Sequence, residues 1–168
     1  MDTLLIIGVD PGSRRTGYGL IAVHGRRMSH VDSGTLHCGD GPMPARLLLI
    51  MQGLRRMLDL HHPHESAIEQ VFLSRNVDSA LKLGQARGSA LVALAEANIP
   101  IHEYAARQVK QAVVGSGAAD KSQIQFMVQR LLNLNHSLQA DAADALAIAI
   151  CHAQYRSNPL LKVSGGLP

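Results

Sequence analysis

The sequence has few aromatic residues, which make up 3% of the chain, no tryptophan and only two cysteines. Cys38 and Cys151 lie far apart and form no CxxC pair, so the sequence offers neither a disulfide framework nor a thiolate metal site. We expect both cysteines to be ordinary reduced thiols.

Long hydrophobic runs are absent as well, because no stretch reaches the roughly 18 uninterrupted apolar residues that indicate a membrane-spanning helix. Asp2 stands where a signal peptide would carry Lys or Arg. We therefore expect a cytoplasmic protein.

The 168 residues, 46% of them hydrophobic, suffice for one compact, soluble domain with a buried core. We predict a single domain over residues 1–156 and a flexible tail over residues 157–168, which contains Gly, Ser and Pro. The net charge of +3 fits an anionic partner. Because this excess is modest, composition leaves nucleic-acid binding open.

The apolar pattern predicts three consecutive strands, a helix, a βαβ unit and three further helices. Three strands without an intervening helix favour an antiparallel meander, and crossovers add two more strands. We therefore predict an α/β fold, with a five-stranded mixed sheet flanked by helices. The predicted strands cover residues 4–9, 18–24, 28–37, 66–71 and 99–104. The predicted helices cover 45–60, 78–98, 107–114, a segment starting near 120, and 139–155. The start of the segment near 120 resembles a capping box, with Asp120 followed three residues later by Gln123.

The segment GSRRTG, residues 12–17, has the glycine spacing of a phosphate-binding loop. A Tyr-Gly pair follows it where such a loop needs Lys and then Ser or Thr, and a strand follows where a helix is required. This pattern excludes a nucleotide-binding loop. We predict instead a hairpin that turns the chain back after Asp10 and leaves Arg14 and Arg15 free to contact phosphates.

Two carboxylates stand at or near the ends of predicted buried strands. Asp10 follows the first strand, where open α/β sheets place ligands, although an Asp there can also bond the backbone of the Pro11–Gly12 turn. Glu69 lies in the apolar stretch AIEQV, so its carboxylate either points to solvent or has a buried cationic partner. The residues alone leave these alternatives open.

Asp141 and Asp144 are three residues apart in the last predicted helix, which puts both carboxylates on one face. Interaction with the helix dipole would explain either one singly. If they met Asp10 and Glu69, each like-charged pair at about 4 Å would cost about 4 kcal/mol at an effective dielectric near 20, which a divalent cation would offset. Oxygen ligands without Cys or His favour Mg²⁺ or Mn²⁺ over zinc, and two such ions can promote phosphodiester hydrolysis.

Four motifs in a fixed order give the sequence a family resemblance. They are IIGVDPGSRRTGYGL, then IEQVF followed by DSALKLGQARG, then EYAARQVKQAVVG, and finally QADAADALAIAI. Together they run from about residue 5 to residue 152, and they resemble the RuvC family of Holliday-junction resolvases. The resemblance implies a ribonuclease H-like fold and a catalytic carboxylate cluster that binds Mg²⁺, with Mn²⁺ able to substitute and two ions per active site. The matching positions are Asp10, Glu69, Asp141 and Asp144.

The resemblance also implies an activity and partners. Enzymes of this family are homodimers that cut two strands of like polarity symmetrically across a four-way DNA junction, in homologous recombination and DNA repair. A dimer with a two-fold axis supplies two sites for a substrate with the same symmetry. The implied protein partners are the RuvA and RuvB branch-migration proteins.

DNA contacts around the cluster follow from the same resemblance. Phe72 matches an aromatic residue that is used against junction bases, although a core Phe that closes the strand is the alternative. Lys110 and Lys121 match lysines near the scissile phosphate, and we include Lys121 among the catalytic residues; a solvated surface lysine is the alternative for both. Further candidates for contacts to the DNA backbone are Arg75 and, more weakly, Lys82 and Arg87.

Gly84 and Gly88 lie four apart in the helix predicted at 78–98, and each weakens it by about 1 kcal/mol relative to Ala. A helix face that carries no side chain at these two positions indicates that another backbone packs closely against it. The packing partner is either the sheet or a second subunit.

Two other functions compete with a nuclease. Phosphotransferases and ATPases of a related fold also begin with a strand and an Asp-Gly turn, but this chain lacks a second glycine-rich phosphate segment and their larger, two-lobed size. A non-catalytic DNA-binding module would need no more than basic charge and a stacking Phe. It would leave four acidic residues facing a polyanion unexplained.

Overall fold

A computed structural model describes residues 3–71 and 75–158 of the chain. The described residues form a five-stranded sheet with helices on both faces. The strands are β1 Leu4–Asp10, β2 Arg15–His24, β3 Arg27–His37, β4 Glu65–Glu69 and β5 Ile101–Tyr104. The helices are α1 Met43–His61, α2 Val77–Glu96, α3 Ala106–Val114, α4 Lys121–Leu131 and α5 Ala140–Ser157.

The sheet has the strand order β3-β2-β1-β4-β5. Strands β1, β2 and β3 pair antiparallel, whereas β4 pairs parallel to β1, and β5 pairs parallel to β4. The predicted α/β class, the meander and the two crossover strands are therefore confirmed. The predicted fifth strand began two residues too early, since Ile99 packs against the core but β5 begins after Pro100, which has no N–H to give to a ladder.

The core has two layers, one on each face of the sheet. Along β1, Ile6 packs towards α3, α4 and α5, whereas Ile7 and Val9 pack towards α1 and α2. Because side chains of a strand alternate between faces, a central strand covered by helices on both faces must be apolar throughout. This explains why β1 reads as an uninterrupted hydrophobic run.

Helix α5 lies against a stripe of glycines on β1 and β2. A Cβ atom at Gly8 would stand 2.1 Å from the carbonyl oxygen of Ala145, and one at Gly17 would stand 2.1 Å from the carbonyl oxygen of Asp141. At Gly19, a Cβ would meet the Leu146 side chain at 2.7 Å. The backbone of α5 can thus approach the sheet closely because these three positions carry no side chain.

Within the described residues, no helix is both long and apolar enough to cross a membrane. The predicted tail over 157–168 begins inside α5, because Ser157 is the last residue of that helix. Residues 159–168 lie outside the described part of the chain.

Candidate active site

Asp10 and Glu69 are the last residues of two adjacent parallel strands. Val9 of β1 is in register with Ile68 of β4, so the next residue on each strand carries a carboxylate at the same edge of the sheet. Carboxyl ends of neighbouring parallel strands are where open α/β sheets bind ligands. The strand register alone therefore brings these two carboxylates together.

Asp141 and Asp144 reach the same edge from the first two turns of α5. Gly17 pairs with Asp10 across β1 and β2, and Gly17 also lies directly beneath the backbone of Asp141. The close approach of α5 to the sheet thus places the start of this helix next to Asp10. The spacing of three residues keeps Asp144 on the side of α5 that faces the strand ends.

A cavity of about 250 Å³ opens at this edge of the sheet. Three of the four predicted carboxylates line it, and so do both predicted lysines. Its polar lining consists of Asp10, Glu69, Asp144, Lys110 and Lys121, and its apolar wall of Ala106, Val109, Ile124, Ala147 and Ile148. The structure therefore brings together five of the residues that the sequence singled out.

The carboxylates in this cavity oppose one another's ionisation. Burial, followed by the negative charges of Glu69, Asp144 and Asp141, raises the pKa of Asp10 from 3.8 to about 8. Burial and the charge of Asp144 also raise the pKa of Glu69, and burial is the main cause of the raised pKa of Asp144. Lys110 and Lys121 act in the opposite direction on Glu69 and Asp144. A buried cluster of this kind favours a bound cation, which would stabilise all of the carboxylates in their charged form.

Asp141 differs from the other three carboxylates. Its Oδ2 atom lies 3.3 Å from Nε of Arg15, and Asp141 is not part of the cavity lining. The predicted hairpin is present, but Arg15 is engaged with Asp141, and Arg14 forms an exposed ion pair with Asp40 at 3.2 Å. Both arginines are therefore paired with carboxylates, and their contacts with phosphates stay a prediction.

Lys121 is the first residue of α4, and Lys110 belongs to α3. Nζ of Lys121 lies 4.0 Å from Oδ2 of Asp144, and its side chain is 83% exposed. The start of α4 is fixed by the predicted capping box, in which Asp120 accepts a hydrogen bond from the Gln123 backbone and Gln123 accepts one from the Asp120 backbone. The helix start thus holds Lys121 at the mouth of the cavity while its ammonium group stays in solvent.

The structure also decides between the alternatives for Asp10. The turn after β1 is closed by Thr16, whose hydroxyl donates to the Gly12 carbonyl at 2.9 Å and accepts from the Gly12 N–H at 3.3 Å. Asp10 is therefore not needed to hold the turn. Its carboxylate lines the cavity instead.

Arg87 is a residue whose position the sequence did not reveal. Its Nε donates to the carbonyl oxygen of Glu69 at 3.0 Å, its guanidinium pairs with Glu103, and its side chain is 18% exposed. Arg87 therefore stabilises the backbone at the end of β4. This position corrects the interpretation of Arg87 as a DNA-contacting side chain. No local pattern could have indicated this, because the acceptor is a backbone atom that lies 18 residues away in sequence.

The remaining predicted DNA contacts are Phe72, Arg75 and Lys82. Phe72 lies outside the described residues, and Arg75, which follows that gap, is exposed. Lys82 is engaged with Asp78 one turn earlier in α2, at 2.6 Å. The roles of Phe72 and Arg75 remain predictions.

Comparisons with known proteins agree with this geometry. A family model described as "Crossover junction endodeoxyribonuclease RuvC" matches residues 6–152. A relative of that name from Marinobacter nauticus is 58% identical over 156 residues, which cover 93% of this chain and 89% of the relative. One from Acinetobacter baumannii is 58% identical over 149 residues, covering 89% and 82%.

Solved structures of Thermus thermophilus RuvC are also similar. The structure in complex with Holliday junction substrate has a TM-score of 0.86 and 34% identity, and the match covers 92% of this chain and 95% of that one. A second Thermus thermophilus RuvC structure has a TM-score of 0.82 at the same identity, covering 91% and 95%. The expected ribonuclease H-like arrangement of five strands and flanking helices is therefore confirmed.

Proposed function

Because the chain belongs to the RuvC family of crossover junction endodeoxyribonucleases, we propose that it resolves four-way DNA junctions at the cavity between β1, β4 and α5. The reaction is hydrolysis of phosphodiester bonds in recombination and repair. The observation that carries the assignment to this cavity is the meeting of Asp10, Glu69 and Asp144 beside two lysines. Asp10, Glu69, Asp141 and Asp144 are the proposed catalytic carboxylates, with Lys121 beside them.

The donor set fits a hard divalent cation. The side chains are carboxylates alone, and their raised pKa values reflect a concentration of negative charge that a cation would offset. We propose Mg²⁺ as the natural ion, with Mn²⁺ able to substitute and two ions per site, held by Asp10, Glu69, Asp144 and Asp141. When bound, such ions polarise the scissile phosphate and activate water for hydrolysis.

The basic side chains near this carboxylate cluster have different proposed roles. Lys121 and Lys110 stand at the rim, where each can hold a phosphate oxygen as a point charge. Arg87 fixes the backbone that carries Glu69. The apolar wall formed by Val109, Ile124 and Ile148 limits the access of water from the side of α3 and α4. Phe72 and Arg75 are further proposed DNA contacts.

Helix α2 supplies a surface for the proposed homodimer. Val77, Leu81 and Val92 are 70%, 64% and 56% exposed. Gly84 and Gly88 continue the stripe between them, and a Cβ at either glycine would meet no atom of the described residues within 4 Å. These glycines therefore do not pack on the sheet of their own chain, and we assign the stripe to a second copy, whose helix could approach closely there.

The protein partners, the cellular location and the domain bounds belong to the same proposal. RuvA and RuvB are the proposed protein partners, and the cytoplasm is the proposed location. Residues 1–156 are proposed to form the nuclease domain, with 157–168 as a tail. Limited proteolysis followed by mass measurement should remove the tail and leave a fragment with full junction-cutting activity.

Cutting of a synthetic four-way junction tests the central proposal. We expect paired nicks in Mg²⁺, no nicks in linear duplex of the same sequence, and loss of nicking in excess chelator. Asp10→Asn should abolish nicking and retain junction binding, whereas Asp59→Asn, which changes an exposed carboxylate on α1, should leave both unchanged. Robust cutting in excess chelator would overturn the proposal.

A further inference from the structure

A second cluster of possible metal ligands lies at the opposite end of β4. Glu65 is the first residue of this strand and Glu69 is the last, so the two carboxylates are separated by about 13 Å along the strand. Beside Glu65 stand His102 of β5 and His152 of α5. This cluster shares no residue with the carboxylate cavity.

The ligand atoms of these three residues converge. One donor atom from each lies within 4.8 Å of the other two. Nε2 of His152 is 2.7 Å from Oε2 of Glu65, and the rings of His102 and His152 stack with their centroids 4.1 Å apart. Ligands bound to one tetrahedral zinc ion stand about 3.3 Å apart, given metal–ligand distances near 2.0–2.1 Å. To reach coordinating distance, the His102 nitrogen must move closer by about 1.5 Å at most, while Nε2 of His152 and Oε2 of Glu65 must separate by about 0.6 Å. The stacked His102 ring must also turn so that its nitrogen points at the ion.

The chemistry of the donors differs from that of the carboxylate cavity. Two imidazoles and one carboxylate suit a borderline transition-metal cation such as Zn²⁺, and not Mg²⁺, which prefers oxygen alone. The His152 side chain is 3% exposed, and its two ring nitrogens face Tyr104 and Glu65. The site is therefore selective against the ion proposed for the cavity.

Two neighbours hold the ligands in place. The hydroxyl of Tyr104 lies 2.7 Å from Nδ1 of His152, so it can accept the Nδ1–H of an imidazole whose Nε2 binds metal. Nε of Arg156 donates to Oε1 of Glu65 at 3.0 Å, which leaves Oε2 facing His152. The charge of Arg156 opposes a cation, but its side chain is 53% exposed, so solvent screens much of that effect.

We propose that Glu65, His102 and His152 bind one zinc-type divalent cation, at a site separate from the carboxylate cavity. Such an ion would link β4, β5 and α5 at the edge of the sheet opposite the cavity. Because binding to the folded state alone stabilises it, the ion would raise the unfolding temperature. The proposal does not depend on the nuclease activity.

Zinc titration of the full-length chain in excess Mg²⁺ tests the site. By calorimetry we expect one equivalent of Zn²⁺ to bind at micromolar concentration or tighter, together with a higher unfolding temperature. His102→Gln should weaken this binding at least tenfold. His24→Gln, which removes an exposed histidine at the end of β2, should leave it unchanged. Equal zinc binding by the His102→Gln variant and the unsubstituted chain would overturn the proposal.

Two further measurements separate this site from other sources of zinc binding. Asp10→Asn should retain the zinc affinity, and a loss of binding in that variant would place the zinc in the carboxylate cavity and refute the proposal. Tyr104→Phe keeps the ring and removes the hydroxyl, so it should lower the affinity by about tenfold. Co²⁺ in place of Zn²⁺ should give visible absorption bands of a tetrahedral site, which disappear with His102→Gln.

Discussion

Nε of Arg15 lies 3.3 Å from Oδ2 of Asp141, at the edge of the cavity that Asp10, Glu69 and Asp144 line. A residue that was expected to meet a phosphate is thus engaged with a proposed metal ligand. The side chain of Arg15 is 64% exposed, so the pair is accessible to solvent. If Asp141 binds a metal ion as proposed, we expect the ion and Arg15 to compete for this carboxylate.

Arg15→Gln should increase the apparent affinity for Mg²⁺. Because an exposed ion pair is worth about 0.2–1 kcal/mol, the Mg²⁺ concentration for half-maximal junction cutting should fall by up to about fivefold. Arg14→Gln is the matched control, because Arg14 pairs with Asp40 instead. An unchanged Mg²⁺ requirement in Arg15→Gln would show that the pair does not limit access to Asp141.

The metal-free protein should lose stability as the pH rises from about 4 to about 8. The pKa of Asp10 is raised from 3.8 in the unfolded reference to about 8 in the folded chain, so in this window the folded state binds the proton and the unfolded state does not. Each pKa unit of difference between the folded and unfolded states changes the free energy of unfolding by about 1.4 kcal/mol, so the total change is on the order of a few kcal/mol. The free energy of unfolding should be measured with urea in chelator across this range.

Asp10→Asn should flatten that pH dependence and stabilise the metal-free protein at pH 8. Mg²⁺ should remove much of the difference from the unsubstituted chain, because a bound cation keeps the carboxylate charged without the cost of repulsion. Asp59→Asn is again the exposed control. If the pH dependence of Asp10→Asn matches that of the unsubstituted chain, the buried carboxylate is not its source.

Gly17→Ala should damage the active site through the position of α5. The added Cβ would stand 2.1 Å from the carbonyl oxygen of Asp141, so the start of α5 must move away from the sheet. We expect a loss of about 1–3 kcal/mol of stability from overpacking. Cutting should fall about 100-fold, since Asp141 and Asp144 would be displaced from Asp10.

Gly41→Ala is the matched control for that substitution, because a Cβ there would meet nothing within 4 Å in the part of the chain that the structure describes. It should leave the unfolding temperature and the cutting rate unchanged. Normal cutting by a folded Gly17→Ala variant would show that the close approach of α5 is not required.

Leu81→Glu should weaken the proposed dimer. Leu81 is 64% exposed on the stripe of α2, and a buried unpaired carboxylate at an interface is strongly unfavourable. Sedimentation should show at least tenfold weaker self-association, and paired cuts should become single nicks. Val31→Glu, at a 40% exposed position on β3, is the control. Unchanged association of Leu81→Glu would place the dimer surface elsewhere.

Local patterns in the sequence were sufficient for most of the architecture. The uninterrupted apolar run of β1 predicted a central strand, and Asp120 with Gln123 predicted the start of α4 through a capping box. These features depend on residues that are close in sequence, so periodicity and capping rules apply to them. The residue types of the carboxylates also indicated the kind of ion they would suit.

The sequence alone determined that Asp10 ends a buried strand, that Asp141 and Asp144 share a helix face, and that a phosphate-binding loop is excluded at residues 12–17. Only the tertiary structure decided that α5 docks on the glycine stripe, that Arg15 engages Asp141, and that Glu65 meets two histidines. The physical reason is that these contacts join residues far apart along the chain. Their geometry depends on how closely backbones approach, and no local propensity specifies that distance.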